Sequence, residues 1–184
     1  LSVLLMTSNI LGAEQRFLRK SLRQSRDIEI DMLPVNVLDR DRWPLDLEAL
    51  SIELDNYDVF VVGELDARAF QPASWRRVAE LVDEGRGFMM FGGFHSFGPG
   101  GYSETEIARI LPVRMNRFEL EPDPTKIARY ERHLSKSVKM IPTTPNSSIT
   151  FLAPGEQNLA AWDKLEPLHG ANKFDKLKDQ STVI

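Results

Sequence analysis

Four short apolar segments mark the first half of the chain, and their texture differs in a way that predicts the fold. Val3–Met6 is a continuous apolar run bounded by polar residues, the pattern of a strand buried on both faces of a parallel sheet. Ile28–Leu33 instead alternates Ile28, Ile30 and Met32 with Glu29 and Asp31, which suits a strand near a sheet edge. Asp58–Val62 and Phe88–Phe91 are again continuous runs, and both predict central strands. Between them lie helical patterns. Glu14–Gln24 places Phe17, Leu18 and Leu22 at helical spacing, with Arg16, Arg19, Lys20 and Arg23 lining the other side as a solvated basic face. Pro72-Ala73-Ser74 opens a helix over Trp75–Glu84 that carries Trp75, Val78, Ala79 and Val82 on one face, and Gly85 stops it. Leu45–Leu54 reads as a further short amphipathic helix. Strand–helix alternation with short glycine stops predicts the α/β class, a mostly parallel sheet covered by helices.

Beyond Pro112 the periodicity weakens, and residues 117–150 read as an irregular excursion from a single domain spanning 1–184. Within it Ile127–Ser135 predicts a short helix, Val138–Ile141 a strand and Thr143–Ser148 a polar turn. Glu156–Leu165, with Leu159, Ala160 and Trp162, predicts a helix after the Ala153-Pro154-Gly155 break. Lys173–Asp179 is charged and expected to be exposed, and Ser181–Ile184 reads as the opening of another strand. The apolar start at Leu1 and this β-branched end suggest part of a longer protein. Trp43, Trp75 and Trp162 are expected core or rim anchors.

The richest segment is residues 92–102, Gly-Gly-Phe-His-Ser-Phe-Gly-Pro-Gly-Gly-Tyr, with five glycines directly after a strand. Ligands of open parallel sheets bind beyond the carboxyl ends of the strands, where this loop falls. Gly92, Gly93, His95, Ser96, Gly98, Gly100 and Gly101 are therefore the expected ligand-binding positions. Ser103 with Glu106 three residues on has the form of a helix cap. The loop lacks the Gly-Lys-Ser/Thr of a P-loop and the acidic partner of a dinucleotide fingerprint, so neither nucleotide motif is met. A Ser–His couple needs an orienting acid, and Ser96 beside His95, with Glu64 or Glu14 brought in by folding, is the catalytic candidate. The competing expectation is structural. Phe94, Phe97 and Tyr102 then fill the crevice, the loop amides are consumed by its own turns, and Glu64 and Asp66 are caps or turn formers.

Composition narrows the chemistry. The 184 residues include no Cys, which removes disulfides, thiolate metal sites and thiol nucleophiles. His95, His133 and His169 are the only histidines, and no two stand at helical metal-ligand spacing, so no metal or other cofactor is expected. A net charge of −4 argues against a protein devoted to gripping phosphate backbones. No apolar run reaches the roughly 20 residues that cross a bilayer. The expected setting is cytoplasmic, or a soluble domain of a larger membrane-attached protein. The expected partner is a small polar ligand or another protein, with homo-oligomerisation left open.

The blocks Tyr57–Val62, Trp75–Glu84, Gly85–Phe91 and the loop at 92–102, followed by Ile110-Leu-Pro-Val113, resemble the class I glutamine amidotransferase-like superfamily. The likeness runs over roughly residues 2–115, takes in Glu14–Leu18, and is strongest to an uncharacterised branch whose strand leads into a Gly-Gly-x-His-Ser-Phe-Gly loop. The resemblance implies a flavodoxin-like three-layer sandwich with a nucleophile elbow at this loop. In the glutaminases the elbow bears a Cys assisted by a His and a Glu. Here it falls at Gly93 or Phe94, and Ser135 and Ala171 stand where an acid would follow His133 and His169. The resemblance therefore implies a non-catalytic domain for ligand binding or protein interaction. The alternative is a hydrolase or lyase acting on a small polar substrate through His95, Ser96 and Glu64.

Overall fold

The computed structural model describes residues 1–8, 13–121 and 133–184. They fall into two compact units, the described parts of Leu1–Leu111 with Met115–Ala128, and of Pro112–Arg114 with Arg129–Ile184.

The first unit is built on a four-stranded parallel sheet, which establishes the α/β class. Strand β1 (Ser2–Ser8) leads to helix α1 (Ala13–Leu22) and strand β2 (Glu29–Val35). Strand β3 (Val59–Val62), helix α2 (Pro72–Asp83) and strand β4 (Gly87–Met90) follow, and a four-residue helix α3 spans Ile107–Ile110. The strand order is β2-β1-β3-β4. Val3–Met6 and Phe60–Val62 are buried throughout, as two-sided burial requires. The pleat divides them: Val3, Leu5 and Val61 pack with Leu18 of α1, Ile28, Ile30, Met32, Val59 and Phe91, and the alternate side chains point to the other face. Each such side chain contributes roughly 1.5–3 kcal/mol by leaving water.

The alternating segment lies at an edge as its texture predicts, and Pro34, which has no N–H to give, is tolerated there. The expectation for Phe88–Phe91 needs correction. Strand β4 is the other edge rather than a central strand, and Met89 is 48% exposed. A continuous apolar run reads alike in either position. Only the pairing partners, remote in sequence, decide between them.

Helix α2 starts at Pro72, where the ring's fixed φ suits the first helical position. Its buried residues are Trp75, Val78, Ala79 and Leu81, with Val82 only half-buried. It ends in a Schellman motif, in which Arg86 N–H donates to Leu81 O and Gly85 N–H to Val82 O, both at 3.0 Å. Gly85 there has φ 106°, a conformation a side chain resists. The proposed helix over Leu45–Leu54 does not form. Asp46 instead holds a turn by accepting from Glu48 N–H at 3.0 Å, and a 3-10 turn covers Leu54–Asn56.

Tyr57 fastens β2 to the approach of β3 by donating its hydroxyl to Asp31 Oδ2 at 2.9 Å. Burial, and then this acceptor, pushes its pKa up to about 12. An unfolded phenol ionises near 10, so the folded state holds its proton longer. The resulting stability is fully present below about pH 10 and is lost as pH rises toward 12. Denaturant midpoints measured through this window should fall less steeply for Tyr57→Phe than for the wild type. Equal slopes would remove Tyr57 from the alkaline transition.

In the second unit, β5 (Val113–Arg114) pairs antiparallel with β8 (Lys176–Leu177), and β6 (His133–Leu134) with β7 (Ala171–Asn172). Helix α4 covers Gln157–Asp163. Val138 makes an isolated bridge to Leu168 rather than a strand, and Ser181–Ile184 forms none; Ser181 Oγ donates to Pro112 O at 2.7 Å. The helix expected at Ile127–Ser135 lies mostly outside the described residues, and His133–Leu134 within it is strand. Among the described residues, no helix is long and apolar enough to cross a membrane.

Candidate functional site

From β1 the chain turns to β2 on one side and, after β2, comes back to β3 on the other. The carboxyl ends of β1 and β3 are thus the point where the strand order reverses, the usual place for a crevice in an open parallel sheet. Gly63 N–H donates to Met6 O at 2.8 Å and keeps the two ends together. Thr7 and Ser8 are buried there. The glycine loop leaves β4 and folds back onto β3's end.

Side chains from both sides bond at that junction. Phe94 N–H donates to Glu64 Oε1 at 3.1 Å, and Ser96 Oγ donates to Gly63 O at 3.5 Å. Further along, Gly100 N–H reaches Ser96 O at 3.3 Å, Gly101 N–H reaches Gly98 O at 2.9 Å and Tyr102 N–H reaches Phe97 O at 3.1 Å. The loop is stitched outward as well, since Ala67 N–H donates to Gly100 O and Glu121 N–H to Pro99 O. Gly100 is where close approach demands glycine, because a Cβ would collide with the His95 carbonyl. Phe97 takes up a left-handed conformation, φ 56°, that non-glycine residues seldom adopt.

Beneath the loop is a polar cluster. Asp66, 2% exposed, caps a 3-10 turn at Ala67–Ala69 and receives Arg68 N–H at 3.2 Å, Arg68 Nε at 2.8 Å and an Arg68 terminal nitrogen at 2.6 Å. The carboxylate holds the Arg68 guanidinium above its ordinary pKa, and Arg68 also donates to Glu121 O at 3.3 Å. Tyr102, fully buried, donates to Leu65 O at 2.9 Å; burial, then the charge of Asp66, pushes its phenol well above the usual range. Trp75 donates from Nε1 to Ala67 O at 2.7 Å and meets Phe70 and Tyr102 edge-on, at centroid distances of 5.4 and 5.3 Å.

The expected site residues are brought together unevenly. Ser96, Gly98 and Gly100 are buried, Gly93, His95 and Gly101 are half-buried, and Gly92 is exposed. No hydrogen bond joins His95 to Ser96. The acid nearest His95 is Asp66: Nδ1 lies 3.9 Å from Asp66 Oδ2 and has no hydrogen-bond partner among the described residues. Glu64 is occupied by the Phe94 amide, and the side chain of Glu14 lies outside the described residues. The cap expected at Ser103 is absent, because Gly101 in a left-handed conformation opens a 3-10 turn over Tyr102–Glu104. Thr105 is then extended, and α3 begins only at Ile107. The sequence did offer a signal for the cluster beneath the loop: an Asp with Arg two residues on, Asp66 and Arg68, suits a side-chain-capped turn. Among the described residues no three His, Asp or Glu side chains gather as a metal ion would need.

Compared with known proteins, the chain matches no family model, no curated protein and no solved structure.

Proposed function

We propose that the first unit is an amidotransferase-like domain of flavodoxin-like, three-layer form that binds a small polar ligand or a protein partner without turning it over. The strand order supports the sandwich. Its two helical crossovers leave the β1–β3 pair in opposite directions, and crossovers of one hand then place α1 and α2 on opposite faces. The observation that carries the non-catalytic reading is Ser96, which is 0% exposed and spends its hydroxyl on the Gly63 carbonyl. A nucleophile needs a neighbouring base and an open path to substrate, and Ser96 has neither. With no Cys in the chain, thiol chemistry at the elbow has no atom to start from. Gly92, Glu64 and His95 remain as the accessible rim, and a ligand would meet them first.

Incubation with L-glutamine should release no ammonia above the uncatalysed rate, and a fluorophosphonate serine probe should leave Ser96 unlabelled. Covalent labelling of Ser96, abolished by Ser96→Ala, would overturn the proposal in favour of a hydrolase. Ammonia release lost in the His95→Ala variant would do the same.

A further inference from the structure

Helix α1 and the turn after it carry Arg16, Arg19, Lys20, Arg23 and Arg26, with no acidic residue between Gln15 and Arg26. The first four stand at i, i+3, i+4 and i+7, so they form one face along a helix about 15 Å long. Arg16, Lys20, Arg23 and Arg26 are exposed, and their side chains make no ion pair or hydrogen bond among the described residues. Arg19 is half-buried and its Nε lacks a hydrogen-bond partner there. Most other arginines of the first unit differ: Arg42, Arg68, Arg77, Arg86 and Arg109 each meet a carboxylate, and Arg40 and Arg117 lie over aromatic rings, while Arg76 shows no ion pair among the described residues. Phe17 borders the cationic face, three residues before Lys20, and is 67% exposed. In a chain of net charge −4, positive charge is gathered on one helix and the turn after it, with the exposed members unpaired among the described residues.

We propose that this face is a docking surface for a short acidic peptide segment of a partner protein, carboxylates on the cationic row and an apolar side chain against Phe17. Charge complementarity selects the class, and size selects within it. Screening confines attraction to about 8–10 Å around each charge, so a ligand as short as the helix meets only the basic face. A nucleic acid or an anionic membrane extends beyond it and meets the rest of the first unit, which is acidic and repels it.

The test is fluorescence anisotropy with a labelled peptide alternating pairs of Glu with single Leu residues. Wild-type protein should bind it, more weakly as salt rises. The triple variant Arg16→Gln, Lys20→Gln, Arg23→Gln should lose about tenfold in affinity at unchanged circular dichroism. If that variant does not fold, the pair Phe17→Ser and Arg26→Gln, tested separately, serves instead, and each should weaken binding several-fold. No binding by the wild type, or equal binding by the folded variants, overturns the proposal. Tighter binding of oligothymidylate, or of phosphatidylserine vesicles, than of the peptide also overturns it.

Discussion

Val61→Asp is expected to leave the first unit without a cooperative thermal transition. Val61 lies in β3, paired with Leu5 of β1 and Met89 of β4, and is 4% exposed among Val3, Leu5, Leu18 and Phe91. The substitution removes a buried valine, worth roughly 1.5–3 kcal/mol. It also inserts a carboxylate with no cation in that cluster, and an unpaired buried charge costs several kcal/mol more even after relaxation. Domains of this size have about 5–15 kcal/mol in total. Val61→Ala isolates the first effect and should remain folded with a lowered midpoint. Near-ultraviolet circular dichroism through a melt decides the matter, and a wild-type transition in Val61→Asp would mean that β3 is not where the sheet is sealed.

Asn158→Ala should cost the second unit at least about 3 kcal/mol. The side chain is fully buried and makes four bonds to the main chain. Oδ1 accepts from Leu152 N–H at 2.7 Å and Ala153 N–H at 3.1 Å, while Nδ2 donates to Pro145 O at 3.2 Å and Thr150 O at 3.0 Å. Truncation strands the Leu152 and Ala153 N–H groups and the Pro145 carbonyl, at about 1–3 kcal/mol for each left unsatisfied and less where water enters. Trp162 is a natural reporter, since its Nε1 donates to the same Thr150 carbonyl at 2.7 Å. Asn158→Asp keeps the acceptor but replaces the donor with an oxygen facing two carbonyls, so it should be destabilised as well. Unchanged urea midpoints by tryptophan fluorescence in both variants would show that the 145–153 loop is held by something else.

These two residues also mark what the sequence could and could not tell. Val61 was legible because a run of β-branched and aromatic residues between turn signals has few other uses. Its neighbour in the sheet, Met89, was misplaced, because a strand's rank depends on partners that the run does not mention. Asn158 was invisible. An Asn in the first turn of a helix looks unremarkable, and its partners lie in a loop with no periodicity. At the site, the glycine-rich segment fixed where the chain would bend over the sheet. The acid that comes to face His95 was Asp66 rather than Glu64, because the Asp66 side chain turns inward to cap the 3-10 turn and Glu64 accepts from Phe94. Ser103 and Glu106 matched a capping pattern in letters only, since extended backbone at Thr105 separates them from a common helix.

The two outer strands of the sheet differ in how they meet a stranger. β2 bears Glu29 and Asp31 and carries Pro34, features that discourage another strand from adding on. β4, Gly-Phe-Met-Met, has neither charge nor proline, and among the described strands only β3 pairs with it. Were another copy to add a strand to this sheet, β4, at Met89, would be the side open to it. A lysine there would make the second border as inhospitable as the first.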